Sequence, residues 1–220
     1  MKNKSSKSRG AKTAKPPKEQ KLSRTHAPAE ISPVEWQRVL RRQFGREQAF
    51  GLENIGTEPF FSEFRVSNPQ SKSAYRVAIR GKLPGDNYCA CPDYATNDLG
   101  TCKHIEFVLA ALGKKRGAKS AFARGYHPPF SELYLRNDGG RAIHFRPGMD
   151  CPPSVLKAAG LLFDAAHGWI LPQEKFGELE RFVAAVIKSG HELRAYDDAL
   201  DFVAGRRDAD RRAASLDSLF

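Results

Sequence analysis

The chain has 220 residues, 40% of them hydrophobic and 28% charged, and a formal net charge of +11. That composition suffices for one large or two small cored domains, and there is no apolar run of about eighteen residues or more to cross a membrane. The charge excess favours polyanionic partners, and its distribution shows where they would bind.

Residues 1–24 carry nine Lys or Arg against one acid, Glu19. The segment is too polar to bury anything, and a disordered basic tail is predicted over residues 1–30. Such an arm neutralises phosphates, although a tail that only aids solubility has the same composition. It has no aromatic or lipid-attachment signal that would make it a membrane-surface arm.

Order is expected from residue 31. Ser32-Pro33-Val34-Glu35 has the form of a capping box with proline at the first helical position. Trp36, Val39, Leu40 and Phe44 then share one helical face, and Gly45 is the expected stop. That face is predicted to pack on the unit that follows, with Trp36 in the core rather than stacked on a base.

Residues 60–91 read as strands. FFSEFRV and AYRVAIRG alternate apolar and polar residues around a turn at 67–73, and a third strand runs into Tyr88-Cys89. Tyr75, Val77 and Ile79 fall on one face, Arg76 and Arg80 on the other. With Arg65, Lys82, Lys103, Lys114, Lys115, Arg116 and Lys119, these arginines make a candidate phosphate-binding surface; the alternative is an ordinary solvated face.

Three of the four cysteines and one of six histidines lie within sixteen consecutive residues: Cys89, Cys91, Cys102 and His104. Strand residues two apart share a face about 6.6 Å apart, so Cys89 and Cys91 can converge. Helix residues two apart diverge, so Cys102 and His104 converge only at a helix start. Gly100-Thr101 provides one, with Thr101 as the expected N-cap and Ile105, Val108, Leu109 and Leu112 at helical spacing. Soft sulfur plus imidazole in a closed set of four predicts a tetrahedral, structural Zn2+. A disulfide network does not suit a chain opening MKNKSSKSRG with no signal segment. A catalytic Cys102–His104 pair would leave Cys89 and Cys91 unexplained.

The segment YCACPDYATNDLGTCKHIEFVLAAL, residues 88–112, resembles the SWIM zinc finger: Cys-x-Cys, a variable gap, then Cys-x-His opening a helix. The likeness extends to Pro92, Asp93 and Tyr94 and to the run from Cys102 to Ile105, and covers about residues 60–115. It implies that Cys89, Cys91, Cys102 and His104 hold zinc. SWIM modules occur beside Snf-type helicases in bacteria, in Mutator-like transposases, and in eukaryotic recombination and ubiquitin-pathway proteins, where they are held to bind DNA or protein. The likeness names a module and leaves the activity of its host open.

Residues 117–130 are expected to form a linker. A second small unit follows over 131–220, with a hairpin turning at 137–140, a helix from about Ser154, a strand at Trp169–Pro172, a helix carrying Phe176 to Ile187, a strand at 192–196, and a last helix capped by Asp197 or Asp198. This order is similar to the accessory region of the same helicases. The expected fold class is thus α+β: a basic tail, a 31–116 unit with a small antiparallel sheet and a zinc-capped helix, and a small mixed α/β accessory domain.

The chain has no phosphate-binding loop and no acidic magnesium motif, so it is no complete ATPase. His26, His127, His144, His167 and His191 show no second metal spacing and bracket no nucleophile. Cys151, before two prolines, reads as an exposed or half-buried thiol without a role. The sequence therefore favours a non-enzymatic, cytoplasmic, nucleoid-associated DNA-binding accessory or regulatory module linked to a Snf-type helicase. The alternative is an adaptor that docks a recombination or helicase partner.

Overall fold

The structure is a computed structural model in which residues 21–148, 151–158, 160–165, 168–196 and 198–206 are described. Most of the predicted arm (residues 1–20), His167 and Asp197 lie outside the described residues. The fold is α+β, built as two sheets with one apolar core each.

Helix α1 (Pro33–Glu47) starts as its capping signal requires, with the Ser32 hydroxyl accepting from the Glu35 N–H at 3.2 Å. It runs past Gly45, the expected stop, because that glycine serves a close approach to a neighbouring helix. Trp36 is half-buried and donates from its indole to Ser23 O at 3.0 Å, so it fastens the preceding segment rather than filling the core. That segment, expected within the tail, lies along α1: Lys21 and Arg24 both pair with Glu47, at 2.7 and 2.6 Å.

The first sheet is antiparallel in the order β1 (Gly51–Asn54), β2 (Glu63–Asn68), β3 (Ser73–Ala78), β4 (Tyr88–Cys89). Strand β1 was not predicted, because Gly-Leu-Glu-Asn has no alternating pattern. Phe64 and Val66 from β2, with Val77 and Ile79, are fully buried against Ile105, Val108 and Leu112 of helix α3 (Lys103–Gly113). Each such side chain contributes roughly 1.5–3 kcal/mol on burial. A short helix α2 (Pro92–Thr96) lies between β4 and α3. The expected linker instead contains helix α4 (Ala118–Arg124).

The second sheet has the order β7 (Leu162–Asp164), β8 (Gly168–Leu171), β6 (Arg141–Arg146), β5 (Ser131–Asn137), β9 (Leu193–Ala195). Only the β5–β9 pairing is parallel. Helix α5 (Pro153–Ala158), a 3-10 turn at Gln173–Glu178, helix α6 (Leu179–Lys188) and helical residues 198–206 cover it. Leu133, Ile143, Leu156, Phe182 and Val186 fill this core. Cys151 belongs to it at 7% exposure, which corrects the expectation of an exposed or half-buried thiol.

The units are joined by polar contacts around the β5–β6 turn. Asn137 donates its amide to Tyr94 O and Asn97 O at 2.9 and 2.6 Å, and the Gly139 N–H donates to Asp98 O at 2.9 Å. Arg38 of α1 donates to Leu99 O at 2.9 Å and pairs with Asp138 at 2.5 Å. The turn of the second unit thus grips the 94–99 segment of the first.

Candidate metal centre

Three elements bring Cys89, Cys91, Cys102 and His104 together. Cys89 ends β4, aligned with Val77 of β3. Cys91 is the N-cap of α2, where its sulfur accepts the Tyr94 N–H at 3.4 Å. Cys102, not Thr101, is the N-cap of α3, and His104 sits in its first turn. The Thr101 hydroxyl donates instead to Glu106 at 2.9 Å, and Glu106 pairs with Arg42 of α1 at 3.4 Å.

All four donor atoms lie within 4.8 Å of one another, and all four residues are buried. The imidazole Nδ1 faces the sulfurs, 3.8 Å from Cys89 Sγ and 4.0 Å from Cys102 Sγ. Metal–sulfur bonds of about 2.3 Å and metal–nitrogen bonds of about 2.0 Å put neighbouring donors of a tetrahedral ion roughly 3.5–3.8 Å apart. The cluster is therefore compatible with one four-coordinate ion after its widest donor pairs draw together by up to about 1 Å. The imidazole is held between Phe50 and Tyr75, with ring centroids at 5.1 and 5.0 Å. No disulfide competes, since all four cysteines are free.

The electrostatics favour a cation. Three thiols this close cannot all ionise unaided. Hydrogen bonding from Cys102, then from Cys89, pulls the Cys91 thiol down, whereas burial first, then hydrogen bonding with Cys89 and Cys91, pushes Cys102 well up. A bound cation would compensate the charge and release the remaining protons. The N-terminal end of α3 adds partial positive charge beside Cys102.

Supporting residues extend outward. The Asp93 carboxylate takes two bonds from Arg41, at 2.7 and 3.2 Å, tying α2 to α1. The Tyr94 hydroxyl donates to Asn87 O at 2.7 Å, and Asn87 Oδ1 accepts the Arg80 and Gly81 N–H groups at 2.8 and 3.1 Å. Asp93 and Tyr94 follow the Cys89–Cys91 pair in the chain, directly after Pro92. Phe50 and Asn87 carried no signal in the sequence.

The nine basic residues do not form one surface. Arg65 and Arg76 are neighbours across β2 and β3, but Glu53 and Glu63 pair with them at 3.3 and 2.9 Å. Arg80 is not outward-facing at all: it lies beyond the end of β3, is 6% exposed, and pairs with Glu132 at 3.3 Å. This corrects its place in the phosphate-binding set, because a buried, paired guanidinium is not open to the backbone of a duplex. Lys82 is exposed and lies over the Phe122 ring at 4.8 Å, and Lys103 is half-buried. Lys114, Lys115, Arg116 and Lys119 are exposed at the corner between α3 and α4, with no ion pair to another described residue.

The chain matches no family model, no curated protein and no solved structure. No helix of the described residues is long and apolar enough to cross a membrane.

Proposed function

We propose that the chain is a zinc-stabilised nucleic-acid-binding module of the SWIM-finger type, a DNA-binding accessory or regulator of a Snf-type helicase system. The observation that carries this reading is the buried three-cysteine, one-histidine cluster at the start of α3, the helix beyond whose far end lie Lys114, Lys115 and Arg116. Sulfur-rich sets of this kind select zinc over calcium or magnesium. Four protein donors complete a tetrahedral shell, so zinc would hold the fold and leave the chemistry to a partner. The exposed cations, with Lys119 beside them, would engage phosphates without reading sequence.

The test is duplex DNA binding by fluorescence anisotropy across a salt series, with metal content measured on the same sample. About one zinc per chain is expected. Affinity should weaken steeply with salt, and reversing the four charges should lower the log–log slope by up to about 4. Absence of binding at low salt sinks the proposal.

One observation favours a second reading, an adaptor for a helicase or recombination partner: Leu162 and Phe163 on edge strand β7 are 59% and 63% exposed. Replacing both by Ser should then abolish partner capture and leave DNA affinity intact.

A further inference from the structure

A cleft of about 840 Å3 opens where the units meet, between Phe60 and Phe61 on the side of the first sheet and the 124–130 segment with β9 on the other. Its volume is in the range of cavities that enclose drug-sized ligands.

The cleft is built over a buried charge network. Glu132 is fully buried and accepts four bonds: from Tyr196 at 2.5 Å, Tyr126 at 2.9 Å, Arg80 at 3.3 Å and, on its other oxygen, Arg146 at 2.7 Å. Burial pushes both phenols up, so both stay protonated and donate. Two guanidinium groups therefore share one carboxylate. Asp198 also interacts with Arg80, and burial raises its pKa from the ordinary value of 3.8 against the opposing pull of that guanidinium. A buried network of this kind is often no more stabilising than an apolar core of the same shape; here it fixes Arg80, Tyr126 and Tyr196 along the cleft, whose lining also includes Glu58 and Glu63.

The walls place cations beside aromatic rings. Arg124 is exposed and donates to the Ser120 hydroxyl at 2.8 Å, with no carboxylate partner among the described residues. Arg194 lies 3.4 Å from the Phe130 ring centroid and pairs with the exposed Glu192 at 3.0 Å, a surface contact that a phosphate would have to displace, and Arg80 covers one face of Tyr196 at 4.3 Å. Phe60, Phe130 and Tyr196 are half-buried and all three line the cleft. Aromatic faces beside cations are what an unpaired strand requires, because its bases are free to stack; the bases of a duplex are already stacked on one another.

We infer that this cleft binds a short single-stranded nucleic-acid segment, with bases against Phe60, Phe130 and Tyr196 and phosphates on Arg124 and Arg194. The inference rests on the nucleic-acid reading above and specifies a strand state and a place that the exposed lysines do not.

The test uses the full zinc-loaded chain and a fluorescent oligothymidylate of about twelve nucleotides, beside a duplex of the same length. An R124E/R194E double variant and, separately, Phe130→Ala should each weaken single-strand binding about tenfold or more. Duplex binding should change little. Metal content and thermal unfolding identify any variant that misfolds. Photo-cross-linking of wild-type protein to an iodouracil-substituted strand needs no variant, and it should label peptides containing Tyr126, Phe130 or Tyr196. Wild-type single-strand affinity in both folded cleft variants, or cross-links confined to 114–119, overturns the cleft and leaves the nucleic-acid reading standing. If neither strand form binds at low salt, both fall.

Discussion

Gly45 of α1 and Lys103 of α3 meet backbone to backbone: a methyl group on Gly45 would stand 2.7 Å from the Lys103 carbonyl oxygen and 2.8 Å from the Phe107 nitrogen. Lys103 lies between Cys102 and His104, so the packing of α1 helps to set the start of the ligand-bearing helix. Gly45→Ala gains up to about 1 kcal/mol of helix propensity but forces two backbones apart, which typically costs about 1–3 kcal/mol. Net destabilisation is expected in urea unfolding, together with faster loss of metal to a chelator. A variant as stable as the parent would show that the helices can separate freely.

The ligand assignment separates the four cysteines. Cys89→Ser and Cys102→Ser should each lose stoichiometric metal and most of the cooperative unfolding of the first unit. Cys151→Ser should keep full metal. Because Cys151 is buried within the second core, it should still lose roughly 1 kcal/mol of stability as a hydroxyl replaces the thiol, a loss that the nearby Ser131 hydroxyl limits by offering a hydrogen-bond partner. Metal analysis and denaturant melts on the three proteins decide this.

Metal removal should be felt unevenly. After chelation, amide exchange should rise across 88–113, where two helix starts and a strand end depend on the cluster. Leu133, Ile143 and Phe145 have their own apolar core and should remain protected. Equal loss of protection in both sheets would mean that the units fold as one.

Glu132 gives a pH test. Burial acts to raise its pKa, but Arg80 and then Arg146 outweigh that effect and hold it below the ordinary value of 4.5. A depressed carboxyl stabilises the fold fully above the unfolded pKa and ceases to do so as pH falls through the folded one. Glu132→Gln leaves the buried Arg80 and the half-buried Arg146 without their anion and should cost about 3 kcal/mol at pH 7. That gap should narrow as pH drops below 4.5, where the parent loses the same charge. A gap unchanged from pH 7 to pH 3 would refute the ionic account.

Sequence periodicity located what depends on near neighbours. The spacing of Cys89, Cys91, Cys102 and His104 predicted a strand end meeting a helix start, and the structure has that geometry. The Asp138-Gly139-Gly140 turn signal correctly predicted the β5–β6 hairpin. Residues whose role is set by distant partners were misread. Arg80 alternates outward on paper, but β3 ends at Ala78, and a carboxylate 52 residues further along the chain draws the guanidinium inside. Gly45 reads as a helix stop because its true constraint, the α3 backbone, is invisible in the α1 sequence. Helix α4 has only small apolar residues around Phe122, too weak a stripe to be seen.

The parallel pairing of β9 with β5 bears on the order of assembly. Ser131 cannot find Leu193 until that residue has been synthesised, whereas the cysteine–histidine cluster is complete once His104 has emerged. Closing the longer loop comes later and has the larger entropic cost. On the ribosome the first unit should therefore fold first and present the 94–99 segment as a finished docking site. The β5–β6 turn then closes onto it, and Arg80 waits without its carboxylate until Glu132 arrives.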